Sequence, residues 1–495
     1  MRRPRIALGL LIAGLTACAV GPNFKRPAPP KTTSYGTAPM AGQTASTESA
    51  GGDPQRFVAG MDIPSQWWTL FKSTSLNQMV EEALKANPNV GAAQAALRQA
   101  HELYLAQRTG FFPNIQAGVT GDRSEFPAAT LTSPIVTPSN VYSLYTAQLT
   151  LSYTPDIFGA TRRAVEMTKA QEAGTRFQLE ATYLTLSSNV VATAVQEASL
   201  RGQIAATKRL LELQHQLTDK VQKQRALGTV SDLDVLAQQG LEAQTAQTLP
   251  PLQKQLEQTR DALSALLGRL PSEEPADTFQ LADLTLPVDL PVSLPSKLIE
   301  QRPDVRLAEE NLHAASAGVG VAIANMLPQF TINGDLGSSA LKLQSLFSSY
   351  TQFWDAGASL TQTLFDAGAL LHKKRAADAA LDQAGAQYRS AVLLACQNVA
   401  DTLHALAADA DALRASAESE RAAKKTFELA MRQRELGTIP LIAVLNAELA
   451  YQQTELAFVQ AQANRYSDTA GLFQALGGGW WNRREEPRYE RSGPT

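Results

Sequence analysis

The sequence predicts a mainly α-helical, internally duplicated chain in which four β-strands of membrane-crossing length interrupt long helices. Three observations carry that fold class. The phrase RALGTVSDLDVL, beginning at residue 225, returns as RELGTIPLIAVL at residue 434, an offset of 209 (434 − 225). Two prolines recur at a second fixed offset, since 303 − 88 and 328 − 113 both give 215. Two stretches of roughly 70 residues carry no proline and little glycine, and ahead of each the pattern switches from helical period to strict alternation.

Composition narrows the class. At 495 residues, with 44% hydrophobic and 18% charged residues, the chain is too apolar for wholesale disorder. A formal net charge of −3 gives no polybasic face, so nucleic acid is not an expected partner. No stretch after residue 20 offers about 18 uninterrupted apolar residues, so no membrane-spanning helix is expected.

The N-terminus reads as a secretory signal over residues 1–17. Arg2, Arg3 and Arg5 form the charged region, and Ile6 to Leu15 an apolar core too short to span a bilayer. Leu15-Thr16-Ala17-Cys18 resembles a bacterial lipobox, in which Cys18 becomes the lipidated N-terminus; ordinary cleavage beside an incidental cysteine is the alternative. Ala19 at the next position resembles lipoproteins sorted to the outer membrane. Cys396 is then the remaining thiol, so an internal disulfide framework is excluded.

Residues 18–68 are expected as a lipid-anchored extended segment, its 25–65 stretch being rich in Pro, Gly, Ser and Thr. A first repeat follows over 69–270, a linker over 271–295, a second repeat over 296–476, and a polar tail over 477–495. Each repeat reads as helix, hairpin, long helix, shorter helix. Asn87-Pro88 and Arg302-Pro303 open the first helices. The hairpins span 113–156 and 328–365. In the first, Ile115, Ala117 and Val119 alternate with polar residues, as do Tyr145, Ala147, Leu149, Leu151 and Tyr153. In the second, Phe330, Ile332 and Leu336 alternate, then Trp354, Ala356, Ala358, Leu360 and Leu364. Runs of about ten residues suit tilted transmembrane strands, although soluble hairpins also alternate. Segments 127–140 and 339–350 are the expected tip loops. Four strands cannot close a membrane barrel, and an open edge in lipid is untenable, so oligomerisation is expected with the copy number left open.

The long helices are expected from Phe158 to Leu227 and from Asp366 to Leu436, each roughly 105 Å long at 1.5 Å per residue. Shorter helices are expected at about 231–267 and 440–475. Leu200, Ile204 and Leu211 form a large-residue stripe, and Val191, Ala194, Ala198 and Ala205 a small one. Two stripes allow packing on two sides, as in a cylinder of coiled coils; an extended stalk is the alternative.

Taken in order, these features resemble the TolC/OprM-like family, the lipid-anchored outer-membrane efflux proteins of tripartite pumps (NodT-like, RND-type systems). The resemblance covers nearly the whole mature chain. It rests on Cys18-Ala-Val-Gly-Pro-Asn-Phe24, the paired prolines, Asp156-Ile-Phe-Gly159, Leu364-Phe-Asp-Ala-Gly368, both Leu-Gly-Thr phrases and Ala475-Leu-Gly-Gly-Gly-Trp480. It implies a homotrimer with a twelve-stranded barrel in the outer membrane of a Gram-negative cell and a long α-helical periplasmic barrel. It also implies a periplasmic membrane-fusion adaptor and an inner-membrane transporter as partners. The implied function is a passive exit duct for small amphiphilic compounds; a protein-secretion channel or an envelope stalk or adhesin remain alternatives.

The same resemblance places both repeated phrases at periplasmic helix turns that contact the adaptor. Arg225, Leu227, Gly228, Thr229 and Val230, with Arg434, Leu436, Gly437, Thr438 and Ile439, are the expected docking surface. Family members close the tunnel just beyond, often with aspartates in the second half. Here Ile442, Ala443 and Asn446 occupy that region, and the acids lie in the first copy, as Asp232 and Asp234. Ile442 is expected as an apolar constriction and Asn446 as a neutral ring. Asp234 is expected to give cation affinity, its pKa raised if like charges converge. Asp232 reads equally as a helix cap.

Sites for chemistry are missing from the sequence. There is no GxxxxGK[ST] phosphate loop and no GxSxG elbow, and Gly318 and Gly320 read as close helix packing. His101, His215, His313, His372 and His404 are scattered and are expected as exposed helical residues rather than ligands. No enzyme activity, metal or cofactor is expected.

Overall fold

The two halves of the chain fold into matching elements, and the match extends to length. A computed structural model describes residues 19–36, 42–125, 141–273 and 280–483. In chain order the elements are β1 (Arg56–Ala59), α1 (Thr74–Ala86), α2 (Pro88–Arg108), β2 (Asn114–Glu125), β3 (Val141–Tyr153), α3 (Ala160–Ala226) and α4 (Asp232–Leu266). The second half adds β4 (Asp289–Val292), α5 (Pro295–Gln301), α6 (Pro303–Ala324), β5 (Gln329–Ala340), β6 (Gln352–Thr361), α7 (Ala369–Glu435) and α8 (Leu441–Ala475). Both long helices have 67 residues and both shorter ones 35.

Local chemistry sets the boundaries. Asn87 and Arg302 each precede a proline and take extended backbone angles, because the proline ring clashes with a helical residue before it. Both also serve as caps at a distance: Asn87 Nδ2 donates to Leu266 O at 2.9 Å, and Arg302 Nη1 donates to Ala475 O at 3.0 Å. Each closes an orphan carbonyl at the end of a shorter helix. The long helices start at capping aspartates. Asp156 accepts from the Thr161 and Arg162 N–H groups, and Asp366 from those of Gly368 and Leu370.

The chain divides into two units. The first takes in 19–26, Arg98–Gly174 and Ala308–Gln387, and holds the antiparallel sheet β2-β3-β5-β6. Its register puts Ala117, Leu149, Leu336 and Trp354 in one row across four strands. The adjacent row, on the opposite face, is Gln116, Thr150, Asp335 and Asp355. Thr150 Oγ1 donates to Asp335 Oδ1 at 2.5 Å, so the polar face is itself hydrogen-bonded. Leu336 and Trp354 are exposed, as are Ile115 and Val119 on the same face. Residues 19–26 lie along this unit's helices: Arg163 donates to Val20 O and Asn23 Oδ1, Phe24 stacks on His313 at 4.4 Å, and Arg26 pairs with Glu309 at 2.8 Å. A side chain at Gly320 would strike Arg163, and one at Gly21 would strike Gly320, so the expected close packing at Gly320 is toward this segment.

The second unit takes in Pro27–Leu97, Thr175–Leu307 and Tyr388 onward. Its core is aromatic and aliphatic: Trp67 stacks on Phe473 at 5.4 Å, with Phe71, Leu76, Leu263 and Leu290 fully buried. The extended N-terminal segment is docked rather than free. β1 pairs in parallel with β4, Ile63 is buried, and the Tyr35 hydroxyl donates to Ser293 O at 2.7 Å. Pro- and Gly-rich composition forecasts the lack of regular structure but not these anchors, which are single residues.

Other differences from expectation have local causes. Strand β5 runs on through Ala340, held by Ser339 N–H donating to Thr351 O, so the second tip loop starts later than 339. The expected first tip loop, 127–140, and the tail beyond 483 lie outside the described residues. In α3 the expected stripe residues Val191, Ala194, Ala198, Leu200 and Ile204 are buried, whereas Ala205 is exposed and Leu211 half-buried, their neighbours Ala206 and Leu210 being buried instead. His101 and His313 are half-buried and bonded to Glu172 and Glu166, at 2.7 and 3.0 Å, rather than exposed. Finally, α7 contains an 18-residue window of mean hydropathy 1.2 with two or fewer charges, which passes for a membrane crossing by composition. Alanine raises mean hydropathy without making the uninterrupted apolar run on which the sequence expectation was set.

Candidate docking and gate site at the paired helix turns

The two repeated phrases fold into the same turn. In the first, Gly228 N–H donates to Arg225 O and Thr229 N–H to Gln224 O, at 2.9 and 3.0 Å. In the second, Gly437 N–H donates to Arg434 O and Thr438 N–H to Gln433 O, both at 2.9 Å. This is a Schellman closure, with the residue after the cap left-handed; Gly228 has φ 75° and Gly437 φ 73°. Each threonine adds a second bond, its hydroxyl donating to the same glutamine carbonyl at 2.9 Å. Leu227 and Leu436 are both 79% exposed, an apolar knob at the apex of each turn.

Beyond the turn the copies diverge as their residues require. Arg225 Nε pairs with Asp232 Oδ1 at 2.6 Å, which holds the Asp232 carboxyl below its ordinary range. In the second copy Leu441 replaces the acid, and Arg434 Nη1 donates instead to Ile439 O at 3.3 Å. The expected capping role of Asp232 is filled by its neighbours: Ser231 Oγ accepts from Asp234 N–H, and Asp234 accepts from Ser231 N–H at 2.9 Å, a reciprocal box. Asp232 sits one residue too late to cap and faces Arg225. Hydrogen bonds from Ser231 hold the Asp234 carboxyl below its usual range, with Arg434 lowering it further. Within the protomer the direction is therefore opposite to the rise expected of a like-charge ring.

Packing fixes which residues remain free. Val221, Leu241, Leu441 and Leu445 bury against one another, with Val230 and Val235 at the edge. Phe427, Ala430, Val444 and Ala447 form a second cluster, which Ile439 joins. Val230 and Ile439 thus tie each turn to a core. Ile442 is 57% exposed and Asn446 is exposed, four residues apart and so on one face of α8. Ala443 is half-buried.

Sequence reasoning missed the counterpart on α4. Leu233, the residue 209 before Ile442, is 76% exposed, and Leu236 is 64% exposed. The repeat offset itself identifies Leu233. Leu236 was not legible that way, since its equivalent Leu445 is buried. Cys18 lies outside the described residues.

Three comparisons bear on these features. The model of the family described as outer membrane efflux protein matches residues 79–269 and 294–478. The chain is 28% identical over 489 residues to the outer membrane protein OprJ of Pseudomonas aeruginosa, covering 97% of each chain. It is 28% identical over 485 residues to the pyoverdine export outer membrane protein OpmQ of Pseudomonas putida, covering 97% of this chain and 98% of that one. Among solved structures, the outer-membrane channel OprN superposes with a TM-score of 0.82 at 28% identity, covering 94% of this chain and all of that one. The chain belongs to the outer membrane efflux protein family, whose members are the Gram-negative outer-membrane channel components of efflux pumps.

Proposed function

We propose that three copies of this chain assemble into a passive exit duct, with twelve strands closing one barrel and the paired turns meeting an adaptor. The sheet carries this reading. Among the described residues it has four strands, with β2 and β6 unpaired on their outer edges, and an apolar row through Ala117, Leu149, Leu336 and Trp354. In lipid each unpaired edge group would cost several kcal/mol, so the edges must pair with other copies. Twelve strands make a barrel wide enough for a water-filled lumen, lined by the Gln116, Thr150, Asp335 and Asp355 row.

At the turns, Leu227 and Leu436 are the apolar anchors for a periplasmic membrane-fusion adaptor, with Arg225, Gly228, Thr229, Val230, Arg434, Gly437, Thr438 and Ile439 shaping the surface around them. Ile442 forms the resting constriction, with Asn446 as a neutral ring one turn on. Asp232 and Asp234 set the charge of the entrance. An inner-membrane transporter of the RND type supplies energy and chooses the substrate, and Cys18 carries the lipid anchor. The chain catalyses nothing; binding energy goes into assembly.

Deleting the gene and challenging cells with antibiotics, dyes, aromatic acids and metals tests the export role. Increased sensitivity to at least one amphiphilic class is expected, and restoration by the wild-type chain but not by a Leu227→Asp/Leu436→Asp variant. Unchanged sensitivity across the panel would contradict the reading.

A further inference from the structure

The helix seam behind the candidate gate contains a carboxylate with no partner. Glu448 on α8 is fully buried, and neither of its oxygens has a hydrogen-bond partner. It continues the buried stripe Leu441, Leu445, Glu448, Gln452, and exposed Ile442 and Asn446 lie roughly 110° around α8 from that stripe. Facing stripes repeat the pattern. Gln214, Thr218 and Val221 are buried on α3, and Gln238, Leu241 and Thr245 on α4. The amides of Gln214 and Gln238 are also fully buried and unpartnered. Thr245 Oγ1 donates to Gln452 Oε1 at 3.4 Å, a polar contact between α4 and α8 in this seam.

Several charged groups on the surrounding helices engage one another or other residues. On α3 and α4, Glu212, His215, Asp219 and Glu242 act on one another, and Thr218 donates to Glu242 at 2.6 Å. On α7, Glu420 and Glu428 act on Tyr451. On α8, Glu455 pairs with Arg209 at 2.8 Å. Burial pushes the Glu448 carboxyl up to about 7, and the nearby Gln214 amide, which forms no well-made hydrogen bond to it, opposes that rise only in part.

Resting on the gate assignment above, we propose that Glu448 is a proton-operated latch: holding its proton it is accepted in the packed seam and the turns stay closed, and on releasing it to water the buried charge loosens α8 and lets Ile442 and Asn446 separate. A neutral carboxylic acid is tolerated between helices, whereas an ionised one without a cation or sufficient donors is not. Helix motion that admits water to Glu448 is therefore favoured by rising pH. Because Glu448 and Ile442 share two turns of one helix, that motion carries the constriction with it.

The test uses the full-length protein in lipid bilayers between pH 5.5 and 8, alongside Glu448→Gln, which keeps the shape and removes the charge. Wild-type open probability should rise by up to about tenfold per pH unit near neutrality, and Glu448→Gln should stay closed and flat. An unchanged pH response in the variant overturns the latch. Amide exchange over residues 441–452, corrected for its intrinsic pH dependence, reads the same loosening without any conduction. Faster exchange at pH 8 in the wild type but not the variant in a silent protein would keep the latch and remove the duct. Equal exchange in both would remove the latch alone. Infrared titration of the wild type needs no variant: a protonated carboxyl band that fades through neutrality is expected, and its absence at pH 5.5 overturns the proposal.

Discussion

Gly228 and Gly437 hold left-handed backbone at the two turns, and the space around each is open for a Cβ. Alanine there meets no clash and costs only conformation, about 1 kcal/mol per site, seen as a lower unfolding temperature with secondary structure intact. Ser231→Ala removes the cap of α4 and should cost about 1 kcal/mol, while Pro440, which caps nothing with its side chain, gives no such loss when replaced by alanine. Two buried acids give a pH signature. Glu448 is pushed up to about 7 by burial, and Asp409 to about 7 by burial and then by Asp468 beside it. The folded state thus binds these protons more tightly than the unfolded chain. Their stabilising protonation is complete below about pH 4 and lost as pH rises to about 7. Thermal unfolding from pH 5 to 8 should show this decline, and Glu448→Gln with Asp409→Asn should flatten it.

The elements were largely legible before any coordinates. Period, proline position and the two offsets placed both hairpins and all four large helices, because each signal is local: alternation for strands, caps and breakers for helix ends. The alternation also gave which residues share a face within each strand, and the observed register aligns those faces across the sheet, since a one-residue slip would mix Gln116 and Thr150 with the apolar row. The single-residue anchors of the N-terminal segment, Tyr35 and Ile63, escaped because no periodicity marks them. The buried seam escaped for a different reason: Gln214, Gln238 and Glu448 read as surface residues on helices whose other faces are polar. At the turns, the matched positions of Leu227 and Leu436 were legible from the repeat, whereas the pairing of Asp232 with Arg225 needed the fold of the turn. At this scale Leu149→Arg on the apolar strand row should cost about 2–4 kcal/mol in the membrane and abolish a heat-resistant oligomer on gels. Thr150→Asn, on the opposite face, should leave that oligomer intact.

For the whole molecule, duplication explains why one chain carries two similar turns with different tasks. The family match spans both repeats, and among the described residues β2 and β6 are the outer strands of the four-stranded sheet. The first copy keeps its acids tied up in a cap and an ion pair, and the second exposes Ile442 and Asn446. In the proposed duct the turns share docking and divide the gating. Single-channel recording of the full-length protein in planar bilayers tests this most directly. Wild type should give small, rare conductance steps, and Ile442→Ser with Asn446→Ser should give larger or more frequent ones. Folded oligomer that conducts nothing in either form would contradict the account.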